Sequence, residues 1–73
     1  MFDMKKFLLT EFEGVPRVEH LLDVYAATPA SPSAIAKWFQ RGSITGVRLA
    51  ELLCIQQMER GTPVSVIAYW EVN

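Results

Sequence analysis

The stretch Ala27-Thr28-Pro29-Ala30-Ser31-Pro32-Ser33-Ala34-Ile35-Ala36-Lys37-Trp38-Phe39-Gln40 decides how this chain folds. Its first part cannot be continuous helix. Pro29 and Pro32 each lack a backbone N–H and push the preceding residue out of the helical region. Ser31-Pro32 then reads as a start signal. A serine hydroxyl accepts from a free N–H of the first turn, and proline suits the first helical position. The helix so begun runs through residues 33–40 and closes at Gly42. Ile35 with Trp38 or Phe39 faces inward, and Ile35 and Trp38 are expected in the core. Ser33, Ala34, Lys37 and Arg41 fall on another face.

Working outward, Asp3 is a helix cap for a segment reaching about Glu13, with Gly14 as its stop. Phe7, Leu8 and Phe12 share one face at helical spacing. Pro16 suits the first turn of a second helix, which carries Val18, Leu21, Leu22 and Tyr25 and ends near Ala26. Downstream, a fourth helix starts near Ser43 or Thr45, runs to about Glu59 and stops at Gly61. Its expected inward stripe is Val47, Leu49, Leu52, Leu53 and Gln56, with Met58 at the edge and Cys54 on the apolar side. The tail after Gly61 stays open between two readings. Its β-branched and aromatic residues favour a strand, while Ser65 could cap a last helical turn.

These segments predict an all-α chain, a compact four- to five-helix bundle in one domain of 73 residues. The N-terminal helix takes residues 1–14, the second and third helices with their turn 16–42, which the resemblance given below implies is a helix-turn-helix, the fourth helix 43–61 and the tail 62–73. A chain this short has a marginal core, and association with a second copy is a common way to stabilise it. The aromatics Phe2, Phe7, Phe12, Tyr25, Trp38, Phe39, Tyr69 and Trp70 exceed what so small a core needs, so some are expected in a subunit interface.

Composition narrows the chemistry. With one cysteine and one histidine, Cys54 and His20, neither an internal disulfide nor a zinc site can be built within one chain. The lone cysteine fits a reduced, cytoplasmic setting. Glu11 and Glu13 interrupt the short apolar run behind Lys5 and Lys6, so no signal peptide is expected, and no apolar run spans a membrane. His20 is expected on the surface. No nucleophile–base arrangement and no glycine-rich phosphate loop is visible, so neither enzymatic activity nor a cofactor is expected. The net charge of −1 gives no overall pull toward nucleic acid. Its distribution is more informative, because between residues 24 and 50 the charged side chains are Lys37, Arg41 and Arg48. That segment is a candidate anion-facing surface.

Residues 18–66 resemble the phage Cro/repressor helix-turn-helix family. The resemblance is carried by Leu21-Leu22, by Ser31 opening a short helix, by the block Ala34-Ile35-Ala36-Lys37-Trp38, and by Gly42-Ser43-Ile44-Thr45-Gly46-Val47-Arg48-Leu49-Ala50 leading into the next helix. Gly61 followed by Val64-Ser65 is also similar. The chain departs from the family in a longer turn, in Pro29 at the usual glycine turn, and in Thr45 where proline is common. The resemblance implies that the third helix enters the DNA major groove. It puts base edges within reach of Pro32, Ser33, Ala34 and Lys37, and phosphates within reach of Ser31, Gln40, Arg41, Ser43 and Arg48. It further implies a cofactor-free homodimer that binds a palindromic double-stranded operator as a transcriptional repressor.

The apolar tail is the second place of interest. Val66, Tyr69, Trp70 and Val72 are the expected dimer interface, with Tyr69 and Trp70 as anchors. The other reading folds the tail back on the first helix of its own chain. The acidic pI and aromatic tail also fit a different function, a small protein–protein interaction module that binds no DNA, such as a phage adaptor or antirepressor.

Overall fold

Short polar side chains mark where helices begin. In the computed structural model, which describes residues 1–25 and 27–72, α1 spans Met4–Phe12, α2 Val15–Val24, α3 Pro32–Arg41 and α4 Gly46–Arg60. The Asp3 carboxylate accepts from the Lys6 N–H at 3.0 Å, Ser31 Oγ from Ala34 at 3.1 Å, and Thr45 Oγ1 from Arg48 at 3.4 Å. Each bond satisfies a donor that the first helical turn cannot pair internally. Thr45, not Ser43, caps α4. Pro16 sits in the first turn of α2 and Pro32 in that of α3. The expected end of α2 at Ala26 lies outside the described residues.

The helix ends are more varied. Gly42 and Gly61 take left-handed φ angles of 67° and 74°, and their N–H groups bond the carbonyls of Trp38 and Gln57. This is the usual glycine C-cap. At the end of α1 the left-handed residue is instead Glu13, with φ 69° and ψ −43°. The Gly14 N–H bonds the Phe12 carbonyl at 2.8 Å, closing a γ-turn around Glu13. Gly14 itself is extended, which corrects its expected role as the stop.

The core is assembled from every helix. Phe7, Leu8 and Phe12 of α1 meet Val18, Leu21 and Leu22 of α2, Ile35 of α3, and Leu52 and Ile55 of α4. α1 packs against both α2 and α3, and α2 packs against α3. On α4, Leu52, Ile55 and Gln56 define the buried side. Val47, Cys54 and Met58 lie about half a helical turn around from them and are exposed. The expected inward places of Val47 and Cys54 are therefore corrected. Leu49 and Leu53 flank the buried line and are partly covered. Trp38 also packs against the core without being enclosed, so it is not the core residue expected.

The tail takes neither expected form in full. Val66–Tyr69 is a short 3-10 helix, and Ser65 makes no side-chain cap to it. Trp70 then forms an isolated antiparallel bridge with Phe2. The Asp3 N–H donates to the Tyr69 carbonyl and the Glu71 N–H to the Met1 carbonyl, both at 2.7 Å. Folding back brings Tyr69 over α1, edge-on to Phe7 with ring centres 5.5 Å apart. The chain is all-helical apart from this bridge among the described residues. None of their helices is long and apolar enough to cross a membrane.

One polar cluster locks this junction. The Glu11 side chain is only 9% exposed. It accepts from the Tyr69 hydroxyl, from Gln56 Nε2 at 3.0 Å and from Arg60 Nη1 at 3.2 Å. Burial pushes the Glu11 carboxyl up, but the Tyr69 and Gln56 hydrogen bonds and the Arg60 charge outweigh it and hold the group below its usual range. Burial and then the bond to Glu11 push the Tyr69 phenol up to about 12.

Candidate nucleic-acid interface

The outer face of α3 is set by its cap. Because Ser31 and Pro32 fix the first turn, Ile35 points into the core, and Ser33, Lys37, Gln40 and Arg41 point to solvent. Ala34 is partly covered, and Ser31, Pro32 and Ser43 are exposed beside that face. Neither Lys37 nor Arg41 forms an ion pair among the described residues. Ala34, Lys37, Trp38, Arg41, Ser43 and Thr45 line a shallow groove of about 400 Å³ that contains no carboxylate. Trp38 and Ile44 supply its apolar wall. Two cations, hydroxyls and a small residue on one helix face form a surface suited to an anion with a flat apolar part.

Sequence reasoning missed one contributor. A Cβ built on Gly42 would lie 2.8 Å from Lys5 Cγ, so the alkyl stem of Lys5 crosses the end of α3. A third cation therefore joins this end of the helix, where it also complements the dipole. Nothing local in the sequence announces this, because α1 meets the end of α3 only through tertiary packing.

Arg48 does not join the face. Its side chain is 15% exposed and pairs with Glu51 at 2.5 Å. The same Nη1 donates to the Thr28 carbonyl at 2.6 Å, and the guanidinium lies 5.2 Å from the centre of the Trp38 ring. Its expected role as a free phosphate contact is corrected, because Glu51, one turn on, neutralises it. Ser31 also has its hydroxyl oxygen engaged in the α3 cap.

A larger cleft of about 690 Å³ opens between α2 and the connection that leads to α3. Glu19, His20 and Asp23 border it with Pro16 and Pro29. Its two carboxylates give it the wrong sign for a phosphate. His20 is exposed there, as expected.

The expected dimer anchors separate into two groups. Tyr69 is buried against its own α1, which corrects its place in an intermolecular interface. Val66, Trp70 and Val72 remain exposed, at 48%, 57% and 87%. Ile67, which the sequence did not single out, is 79% exposed beside them in the chain. Cys54 is an exposed thiol, and no group of three or more metal-ligating side chains forms among the described residues.

No protein-family model matches this chain, and no curated protein or solved structure matches it either.

Proposed function

We propose that this protein reads double-stranded DNA with α3, as a helix-turn-helix regulator related in design to the phage Cro/repressor family. The observation that carries the reading is the solvent-facing side of α3, on which Lys37 and Arg41 are unpaired among the described residues and the adjoining groove has no carboxylate. In this reading Ser33 and Ala34 meet base edges, the hydroxyl by hydrogen bonding and the methyl by contact with thymine. Lys37 reaches a guanine acceptor pair. Arg41, Lys5, Gln40 and Ser43 hold phosphates and fix register without reading sequence.

Two copies bind a two-fold site, with their α3 helices about one DNA turn apart. The exposed Trp70, Ile67 and Val72 supply apolar surface for the pairing. Regulation is repression, by occupying DNA that a polymerase must use. The test is selection from a pool of random duplexes at moderate salt. Enrichment of an inverted repeat with half-sites roughly 34 Å apart is the expected result. No enrichment by a folded protein overturns the reading.

The exposed apolar tail favours a second reading, an interaction module that binds another protein. Salt separates the two. Binding through Lys37, Arg41 and Lys5 falls steeply as salt rises, whereas binding through Trp70 and Ile67 changes little.

A further inference from the structure

We propose that Arg48 and Glu51 are positioning residues that set the angle at which the first turn of α3 meets DNA; this rests on the DNA-binding reading above. The connection between α2 and α3 occupies residues 25–31. A connection of that length does not by itself fix the direction of the helix that follows. Its backbone is poor in donors, since Pro29 has no N–H and Pro32 follows closely. Among the described residues, the hydrogen bonds that reach the backbone of residues 28–30 both come from α4. Arg48 Nη1 donates to the Thr28 carbonyl at 2.6 Å, and Glu51 Oε2 accepts from the Thr28 N–H at 3.4 Å. The two side chains are bonded to each other at 2.5 Å. Thr28 is thus held at both its backbone groups by one ion pair.

The same guanidinium lies over Trp38 of α3. One side chain therefore touches the connection, α4 and α3 together. Thr28 is separated from the Ser31 cap only by Pro29, whose ring fixes φ, and Ala30, and Ser31 is itself restricted by the proline that follows it. Displacing Thr28 displaces the turn that carries Ser33 and Ala34. Arginine suits this task because Nη1 donates to both acceptors while the flat face of the guanidinium lies on an aromatic ring, and a lysine ammonium has no such face. Exposures of 15% and 28% for the two side chains limit competition from water.

The experiment compares the wild-type chain with Arg48→Met and Glu51→Gln by duplex selection, by the salt dependence of binding, and by backbone amide NMR. In both variants, discrimination at the base pairs read by the first turn of α3 falls by roughly tenfold, a partial loss of well-placed base contacts. The salt slope stays at the wild-type value, and the amides of Ser33 and Ala34 shift. A slope reduced by about one with unchanged base preference identifies Arg48 as a phosphate contact and overturns the proposal. Unchanged preference with an unchanged slope also overturns it. Should Arg48→Met fail to fold, Glu51→Gln carries the test, since its amide offers one acceptor oxygen where the carboxylate offers two to Arg48 and Thr28, and it leaves the Trp38 stack. Should the wild-type chain enrich no DNA, the DNA reading fails separately. The NMR arm then decides, and unmoved Ser33 and Ala34 amides in Glu51→Gln overturn the positioning role.

Discussion

The junction of α1 with the C-terminal 3-10 helix and the outer face of α3 hold their polar groups in opposite ways. At the junction the Glu11 carboxylate is enclosed and accepts from Tyr69, Gln56 and Arg60. On α3, Lys37 and Arg41 stand in solvent without an ionic partner among the described residues. A desolvated charge must be matched internally or it destabilises the fold. A solvated one needs no match and stays available to a ligand. The difference separates residues that hold the chain together from residues that act. Arg48 sits between these extremes: it lies in the stretch that looks basic, yet it is used internally.

The comparison predicts large stability effects at the junction and small ones on α3. Phe7 is fully buried between Phe2, Phe12 and Tyr69. Phe7→Ala is expected to cost about 3–5 kcal/mol in urea denaturation, enough to unfold a chain of this size. A loss below about 1 kcal/mol would mean that the junction is not the core of the fold.

Glu11→Gln keeps the shape of the cluster and removes its charge. The expected loss at neutral pH is about 1.5–3 kcal/mol, the range for hydrogen bonds to a charged group. The pH dependence has a definite sign. The folded carboxyl is held below its ordinary value of 4.5, so its stabilisation is complete above that value and is lost as pH falls through the lowered one. Wild type and variant therefore converge in acid. Tyr69 acts at the other end of the scale. Its phenol is raised from 10.0 to about 12, so its contribution is complete below pH 10.0 and is lost as pH rises through about 12. Denaturation at a series of pH values checks both signs, and a Glu11→Gln deficit that persists unchanged in acid would refute the cluster's role.

On α3 the order reverses. Lys37→Ala is expected to cost about 1–3 kcal/mol of discrimination at one base pair of a half-site, while folding stability moves by no more than about 0.5 kcal/mol. Paired measurements of melting and DNA selection test this, and a variant that melts early would place Lys37 in the fold instead. Gly42→Ala probes the border between the regions. At φ 67°, and with Lys5 Cγ at 2.8 Å from the new methyl, the expected loss is about 1–2 kcal/mol. Full stability in that variant would show that neither the left-handed backbone at Gly42 nor the Lys5 contact constrains the end of α3.

Much of the fold was legible because its signals are local. Asp3, Ser31 and Thr45 cap helices through bonds spanning three residues, and Gly42 and Gly61 stop them through the left-handed region that glycine enters freely. The solvent-facing set Ser33, Lys37 and Arg41 followed from helical spacing once the start of α3 was fixed. The inward side of α4 was legible only in part, at Leu52 and Gln56. Apolar residues lie all around that helix, so Val47 and Cys54 fit the pattern as well as Ile55 does, and only packing against the other helices chose between them.

The sequence by itself determined the four α-helices, most of their limits and the residue types that face outward on α3, because capping, proline exclusion and helical period act over one or two turns. Tertiary structure alone chose between Ile55 and the other apolar residues of α4, and it decided three things more. It turned the tail back so that Tyr69 is buried on α1, it brought Lys5 across Gly42, and it withdrew Arg48 into a contact with Thr28 and Glu51. Each depends on side chains from separate helices meeting, and in such a contact the outcome is set by which groups lose water together.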